Sequence, residues 1–157
     1  VPNIGLGHDD SGLTDNYVKQ GLESPLQCLE NVNAPGLHML IKLVEAVPGD
    51  VHILDFGGGY GTVSAALSKK YPDEITRFKI TLCETPAMIA SLVSQSAPAA
   101  MGMHMKMEES VNPNSTYDFI YVGSSLQYLE KYTEQLRLFS SISTDIIFDD
   151  MPISNLK

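Results

Sequence analysis

Apolar positions along the chain follow two alternating periods. Leu37, Leu40, Ile41 and Val44 recur every three to four residues, the spacing of one buried helix face, and Pro35 suits a first turn begun at Asn33 or Ala34. Pro48-Gly49-Asp50 ends that helix. Val51–Phe56 is then a short apolar run, the pattern of a buried strand. The rhythm repeats: a helix from about Gly61 to Tyr71 carrying Val63, Ala66 and Leu67, a strand over Phe78–Cys83, and a helix from Pro86 to about Ser94. A period-two strand over Met101–Met107 follows, then a strand over Tyr117–Val122, a helix holding Tyr132–Phe139 and a fifth strand over Asp145–Phe148. Ahead of all these, a helix begins near Thr14, with Thr14, Asp15 and Asn16 as candidate caps, and the first ten residues read as an ordered arm or a loose terminus. Strands alternating with helices through short loops predict a parallel sheet covered on both faces. The fold class is α/β, doubly wound; with the glycine loop after the first strand at the switch point, the expected strand order is 3-2-1-4-5.

Composition narrows the picture. A length of 157 residues fits one domain, with 1–48 as an N-terminal helical segment and 49–157 as the core. Ten Lys+Arg against nineteen Asp+Glu leave a formal charge of -9, a field that repels phosphate backbones and anionic lipid. Nucleic acid and membrane are therefore not expected partners. No apolar run reaches the roughly 18 residues of a bilayer span, and the acidic start is no signal peptide, so a cytoplasmic protein is expected. Cys28 and Cys83 lack C-x-x-C spacing and are expected to be reduced and buried.

The chemistry concentrates in Asp55-Phe56-Gly57-Gly58-Gly59-Tyr60-Gly61, between the first strand and its helix. In a doubly wound sheet this turn lies at the carboxyl edge, where a nucleotide-like ligand approaches the backbone. Glycine there permits positive φ and leaves no Cβ to hold a ligand away. The dinucleotide fingerprint read from Gly57 requires Gly or Ala where Thr62 stands; read from Gly59 it meets Ser64. D-x-G-x-G-x-G fits. Glu84 ends the second strand, twenty-three residues after Gly61, placed to accept both ribose hydroxyls of an adenosyl or a nicotinamide cofactor.

These residues resemble the class I S-adenosylmethionine-dependent methyltransferases. Ile53–Gly59, Glu84–Met88, Ser124–Leu129 and Phe148–Pro152 look like a bacterial group of methyltransferases of unassigned substrate, over about Val51–Pro152. Asp150 stands where that group commonly has Arg, so no role of that arginine carries over. The resemblance implies methyl transfer from S-adenosylmethionine to a small molecule. It also implies a cofactor site of Asp55, Gly57, Gly58, Gly59, Gly61, Glu84 and Thr85, with Met107 and Glu108 in the loop after the third strand at the adenine and Gly123 and Ser124 at the methyl end. Methyltransferase sheets end in an antiparallel strand pair, for which the seven residues after Asp150 leave no room. The chain thus reads as C-terminally truncated or as ending on an exposed edge that favours a homo-oligomer. An NAD-type oxidoreductase and a non-catalytic binding module are the alternatives.

Other signals are weaker. Met101, Met103, Met105 and Met107 place four sulfurs on one strand face, which suits core packing better than a soft metal, and no metal site is expected. Ser124, Ser125 and Gln127 read equally as helix caps or ligand contacts. Patterns for phosphate-cradling loops, zinc proteases, serine nucleophile elbows and base-amino methylation are missing. His8, Tyr17 and His38 are weak candidates for a general base, and no catalytic residue is assigned.

Overall fold

A computed structural model of the chain describes residues 11–23, 34–96, 105–123 and 125–149. Five parallel strands form one sheet in the order β3-β2-β1-β4-β5, as expected. They are β1 (Val51–Phe56), β2 (Phe78–Cys83), β3 (Met105–Glu108), β4 (Phe119–Gly123) and β5 (Asp145–Asp149). The helices are α1 (Ser11–Glu23), α2 (Pro35–Ala46), α3 (Thr62–Lys70), α4 (Pro86–Ser94) and α5 (Tyr132–Ile142).

Both sheet faces are covered, which is why β1 reads as an almost unbroken apolar run with only His52 exposed. Val51 and Ile53 join Phe78, Ile80, Phe119, Tyr121 and Ile147 against α2 and α3. Leu54, Phe56, Ile120 and Val122 face the other way onto Phe139 and Ile142 of α5. A third cluster joins Val18 of α1 and Met88 and Leu92 of α4 to Leu82 and to Tyr60 in the glycine loop. Winding reverses between β1 and β4, so the β1 loop opens at the switch point of the sheet.

Several boundaries differ from the expectation, each for a hydrogen-bonding reason. Strand β4 starts at Phe119 rather than Tyr117: the Tyr117 amide donates to the Ile142 carbonyl, while the Asp118 carboxylate accepts from the His52 amide at 2.7 Å. Glu108 ends β3 instead of lying in the loop beyond it, because its carbonyl accepts the Glu84 amide and prolongs the ladder. Gly61 caps α3 in a left-handed conformation and is not its first residue. Helix α1 begins three residues before Thr14. The expected start of β3 at Met101–His104 lies outside the described residues. No helix among the described residues is long and apolar enough to cross a membrane.

Candidate functional site

The glycine loop leaves β1 at the carboxyl edge, with Gly57, Gly59 and Gly61 at φ 66, 59 and 90°. These are left-handed values that side chains rarely adopt. The Gly57 amide first extends the β1–β2 ladder to the Cys83 carbonyl at 2.9 Å. Gly58 O then accepts from the amides of Gly61 and Thr62, turning the chain into α3.

Two of the glycines are also required by packing. A Cβ on Gly57 would stand 2.2 Å from Ser125 Cβ, because the Ser125 hydroxyl reaches under the loop to donate to the Phe56 carbonyl at 3.1 Å. Ser125 makes no side-chain cap, contrary to one of its two expected roles, and a single 3₁₀ turn at Leu126–Tyr128 follows it. A Cβ on Gly58 would stand 2.2–2.3 Å from the carboxyl atoms of Asp55.

Asp55 lies beneath the loop and is 1 % exposed. Neither carboxyl oxygen has a hydrogen-bond partner of good geometry, and the Ser64 hydroxyl in the first turn of α3 is likewise buried and unpartnered. Burial pushes the Asp55 carboxyl up to about 7; the Val63 amide pulls it back, and the charge of Glu84 pushes it further up.

Glu84 is buried and holds the loop from the β2 side. One carboxylate oxygen accepts from the Gly59 amide at 2.8 Å and the other from the Thr85 amide at 2.9 Å. Thr85 itself caps α4, its hydroxyl accepting the Met88 amide at 3.2 Å, with Pro86 in the first turn. Next to them on β3, Met107 is half-buried against the third apolar cluster. Glu108 pairs through one oxygen with Lys106 Nζ at 2.5 Å and turns its other oxygen inward without a partner. The Cys83 thiol, pushed up to about 12 by burial and by the carboxylates of Glu84, Glu108 and Asp55, is inert as a nucleophile.

At the far end of the edge, Gly123 closes β4 beside Asp149 of β5. A single oxygen of Asp149, itself buried, accepts both the Tyr121 hydroxyl at 2.8 Å and the Leu37 amide at 3.1 Å. A Cβ on Gly36 would meet Asp149 at 2.8 Å. This carboxylate therefore docks the N-terminus of α2 onto the sheet, in the place a helix favours for an anion. The hydrophobic pattern did not single out Asp149, Tyr121 or Gly36; a small residue after Pro35 was the available sign of close approach.

The structure thus brings Asp55, Gly57, Gly58, Gly59, Gly61, Glu84 and Thr85 together, with Met107 and Glu108 on the adjoining strand and Gly123 across β1. Ser124 lies outside the described residues, as do His8 and Cys28, and the side chain of Tyr17 is likewise undescribed. His38 is exposed on α2. Among the described residues no group of metal-ligating side chains converges. Surface hollows of about 420 and 410 Å³ lie elsewhere, at the start of β4 and β5 and along β2 and β3.

No protein-family model and no curated protein matches the chain. Solved structures match it by fold. An O-methyltransferase family protein from Burkholderia thailandensis superposes with a TM-score of 0.60 at 12 % identity, over 94 % of this chain and 44 % of its own. The fold is that of the class I methyltransferases. A Methanococcus maripaludis protein described as a putative S-adenosyl-L-methionine-dependent methyltransferase gives 0.58 at 16 % identity, over 88 % and 64 %. Another, from Thiobacillus denitrificans and solved with S-adenosyl-L-homocysteine, gives 0.52 at 10 % identity, over 80 % and 50 %. The chain spans less than two thirds of the length of each of these methyltransferases.

Proposed function

We propose that the glycine loop and Glu84 bind S-adenosyl-L-methionine, and that the protein transfers its methyl group to a small-molecule acceptor. The observation that carries this reading is the Glu84 carboxylate on the amides of Gly59 and Thr85. A dinucleotide cofactor needs loop amides turned toward its pyrophosphate. Here the Gly59 amide is already engaged by the Glu84 carboxylate. The phosphate charges of a dinucleotide would meet the negative charge of Glu84, whereas a sulfonium and an ammonium are attracted to it. The Burkholderia and Thiobacillus neighbours agree in kind with this choice.

The bound cofactor supplies an electrophilic methyl group. The protein's own residues then have to bind, align and exclude water. Glu84, fixed by two amides, keeps lone pairs to accept the ribose hydroxyls. Met107 offers an apolar surface and the inward oxygen of Glu108 an acceptor for adenine. In this reading Gly123, which closes β4, faces the methyl end, and Asp149 holds the start of α2 beside it.

Calorimetric titration tests this directly. S-adenosyl-L-homocysteine is expected to bind in about the micromolar range and NAD at least about a hundredfold more weakly, because its pyrophosphate would meet the Glu84 charge where the Gly59 amide is already engaged. Equal or tighter NAD binding promotes the oxidoreductase, and binding of neither ligand removes the cofactor reading.

A further inference from the structure

Between β1 and α3 the loop reads Gly57-Gly58-Gly59-Tyr60-Gly61, so Tyr60 carries its only side chain. Gly57, Gly59 and Gly61 stand at positive φ, and glycines give up more chain freedom on ordering than any other residue. A segment of that kind keeps one shape only where contacts hold it. Ser125, Asp55 and Glu84 lie against Gly57, Gly58 and Gly59. At Tyr60 the hold is apolar: the side chain is 5 % exposed, within the cluster of Val18, Leu82, Met88 and Leu92. Leu82 belongs to β2 and Met88 and Leu92 to α4, but Val18 comes from α1, ahead of the whole sheet in sequence.

Helix α1 has little reason to be helical by itself. It has 13 residues, two of them glycine, with Thr14, Asp15 and Asn16 in succession, a weak composition at a length where isolated helices are marginal. Its order comes from docking on α4. Thr14 and Val18, one turn apart, are buried. Beside them the Asp15 carboxylate accepts the Ser91 hydroxyl at 2.5 Å, and the Gln95 side-chain amide donates to the Asp15 carbonyl at 3.2 Å and to the Ser91 oxygen at 3.0 Å. We propose that Val18 and Asp15 are positioning residues of the cofactor site: by docking α1 on α4 they complete the pocket that pins Tyr60, and so hold the glycine loop in the shape that binds ligand. The proposal rests on the cofactor reading above. Its consequence is reciprocal. If docked α1 raises the affinity for the cofactor, bound cofactor favours docked α1 by the same factor.

Calorimetry of S-adenosyl-L-homocysteine on the full chain, together with amide hydrogen exchange, tests both directions. Val18 is fully buried, so its truncation reaches the ligand only through its neighbours. Val18→Ala and Asp15→Ala should each weaken binding about tenfold, and Asp15→Asn, which keeps an acceptor for the Ser91 hydroxyl, should restore most of it. In the ligand-free Val18→Ala chain, exchange should quicken about tenfold at the amides of Gly61 and Thr62, which close the loop on the Gly58 carbonyl. Ile142→Val also removes apolar volume from a buried site, but on the other face of the sheet, and should change neither the affinity nor the loop exchange by more than about twofold. Saturating ligand should slow exchange in α1 of the wild-type chain about tenfold. Binding by Val18→Ala within about twofold of the wild type overturns the proposal, as does an equal loss in Ile142→Val, an Asp15→Asn chain no better than Asp15→Ala, or exchange in the loop or in α1 that does not respond. Failure of the wild-type chain to bind removes the cofactor reading and this proposal with it, whereas wild-type binding that the α1 variants leave unchanged removes this proposal alone.

Discussion

Replacing Asp55 by Asn asks what an orphaned buried carboxylate costs the folded protein. Its carboxyl stands at about 7 in the fold against an ordinary 3.8, chiefly because burial penalises the charge. A raised carboxyl means that the folded chain holds a proton which the unfolded chain has lost between those two values. Stability contributed by the protonated form is complete below about pH 3.8 and disappears as pH rises through about 7. About three pH units at 1.36 kcal/mol per unit make about 4 kcal/mol in total, of which about 2–3 kcal/mol falls between pH 5 and pH 8. Asn has nearly the same shape and never ionises. Urea denaturation of both proteins across that range should therefore show the variant gaining about 2–3 kcal/mol on the wild type as pH rises, with the other titrating groups cancelling in the difference. Stability curves that run parallel within about 0.5 kcal/mol would refute the reasoning, because Asp55 would then carry the same charge folded and unfolded.

Further substitutions probe the contacts around the loop and at Asp149. Glu84→Gln keeps one amide partner and turns an NH2 group toward the other, so it should lose about 2 kcal/mol of stability and weaken S-adenosyl-L-homocysteine at least about tenfold, both measurable by denaturation and calorimetry. Gly57→Ala, strained in φ and driven into Ser125, should cost about 3 kcal/mol or more, and Ser125→Gly in the same chain should recover part of it; strictly additive losses in the double-mutant cycle would show that the two residues do not meet. Asp149→Ala should cost about 3 kcal/mol by stranding the Leu37 amide and the Tyr121 hydroxyl, whereas Asp149→Asn, which keeps an acceptor oxygen, should cost about 1 kcal/mol in the same denaturation assay.

Much of the architecture could be read from short-range pattern because a sheet buried on both faces writes itself as apolar runs. Val51–Phe56 and Phe78–Cys83 match their strands residue for residue. The strand order followed from the glycine loop, which marks the switch point only when β1 is central. Boundaries were less readable where a polar side chain took over a backbone partner. Asp118 does this for His52, so β4 begins later than the apolar run around Tyr117 suggests. Helix α5 runs on to Ile142 because that residue is buried, beyond the Tyr132–Phe139 stretch that showed the period.

The site divides along the same line. That Gly57, Gly59, Gly61 and Glu84 meet at one edge was legible because their spacing along the chain is itself the signal. The contacts that hold them could not, since they join residues far apart in sequence: Ser125 reaches Phe56 across 69 positions and Asp149 reaches Leu37 across 112. Gly58 and Gly36 make the point most sharply. In sequence each is one small residue near a turn, and its purpose appears only with Asp55 or Asp149 at 2.2–2.8 Å from where a Cβ would be. At Gly57 and Gly58 the absent side chains make room for Ser125 and Asp55 beneath the loop. A ligand needs freedom on the loop's other side, and the missing Cβ atoms at these two positions serve the support first. The carboxyl edge is therefore built around Asp55, Glu84 and Asp149, buried carboxyl groups that carry the loop and the start of α2 from beneath.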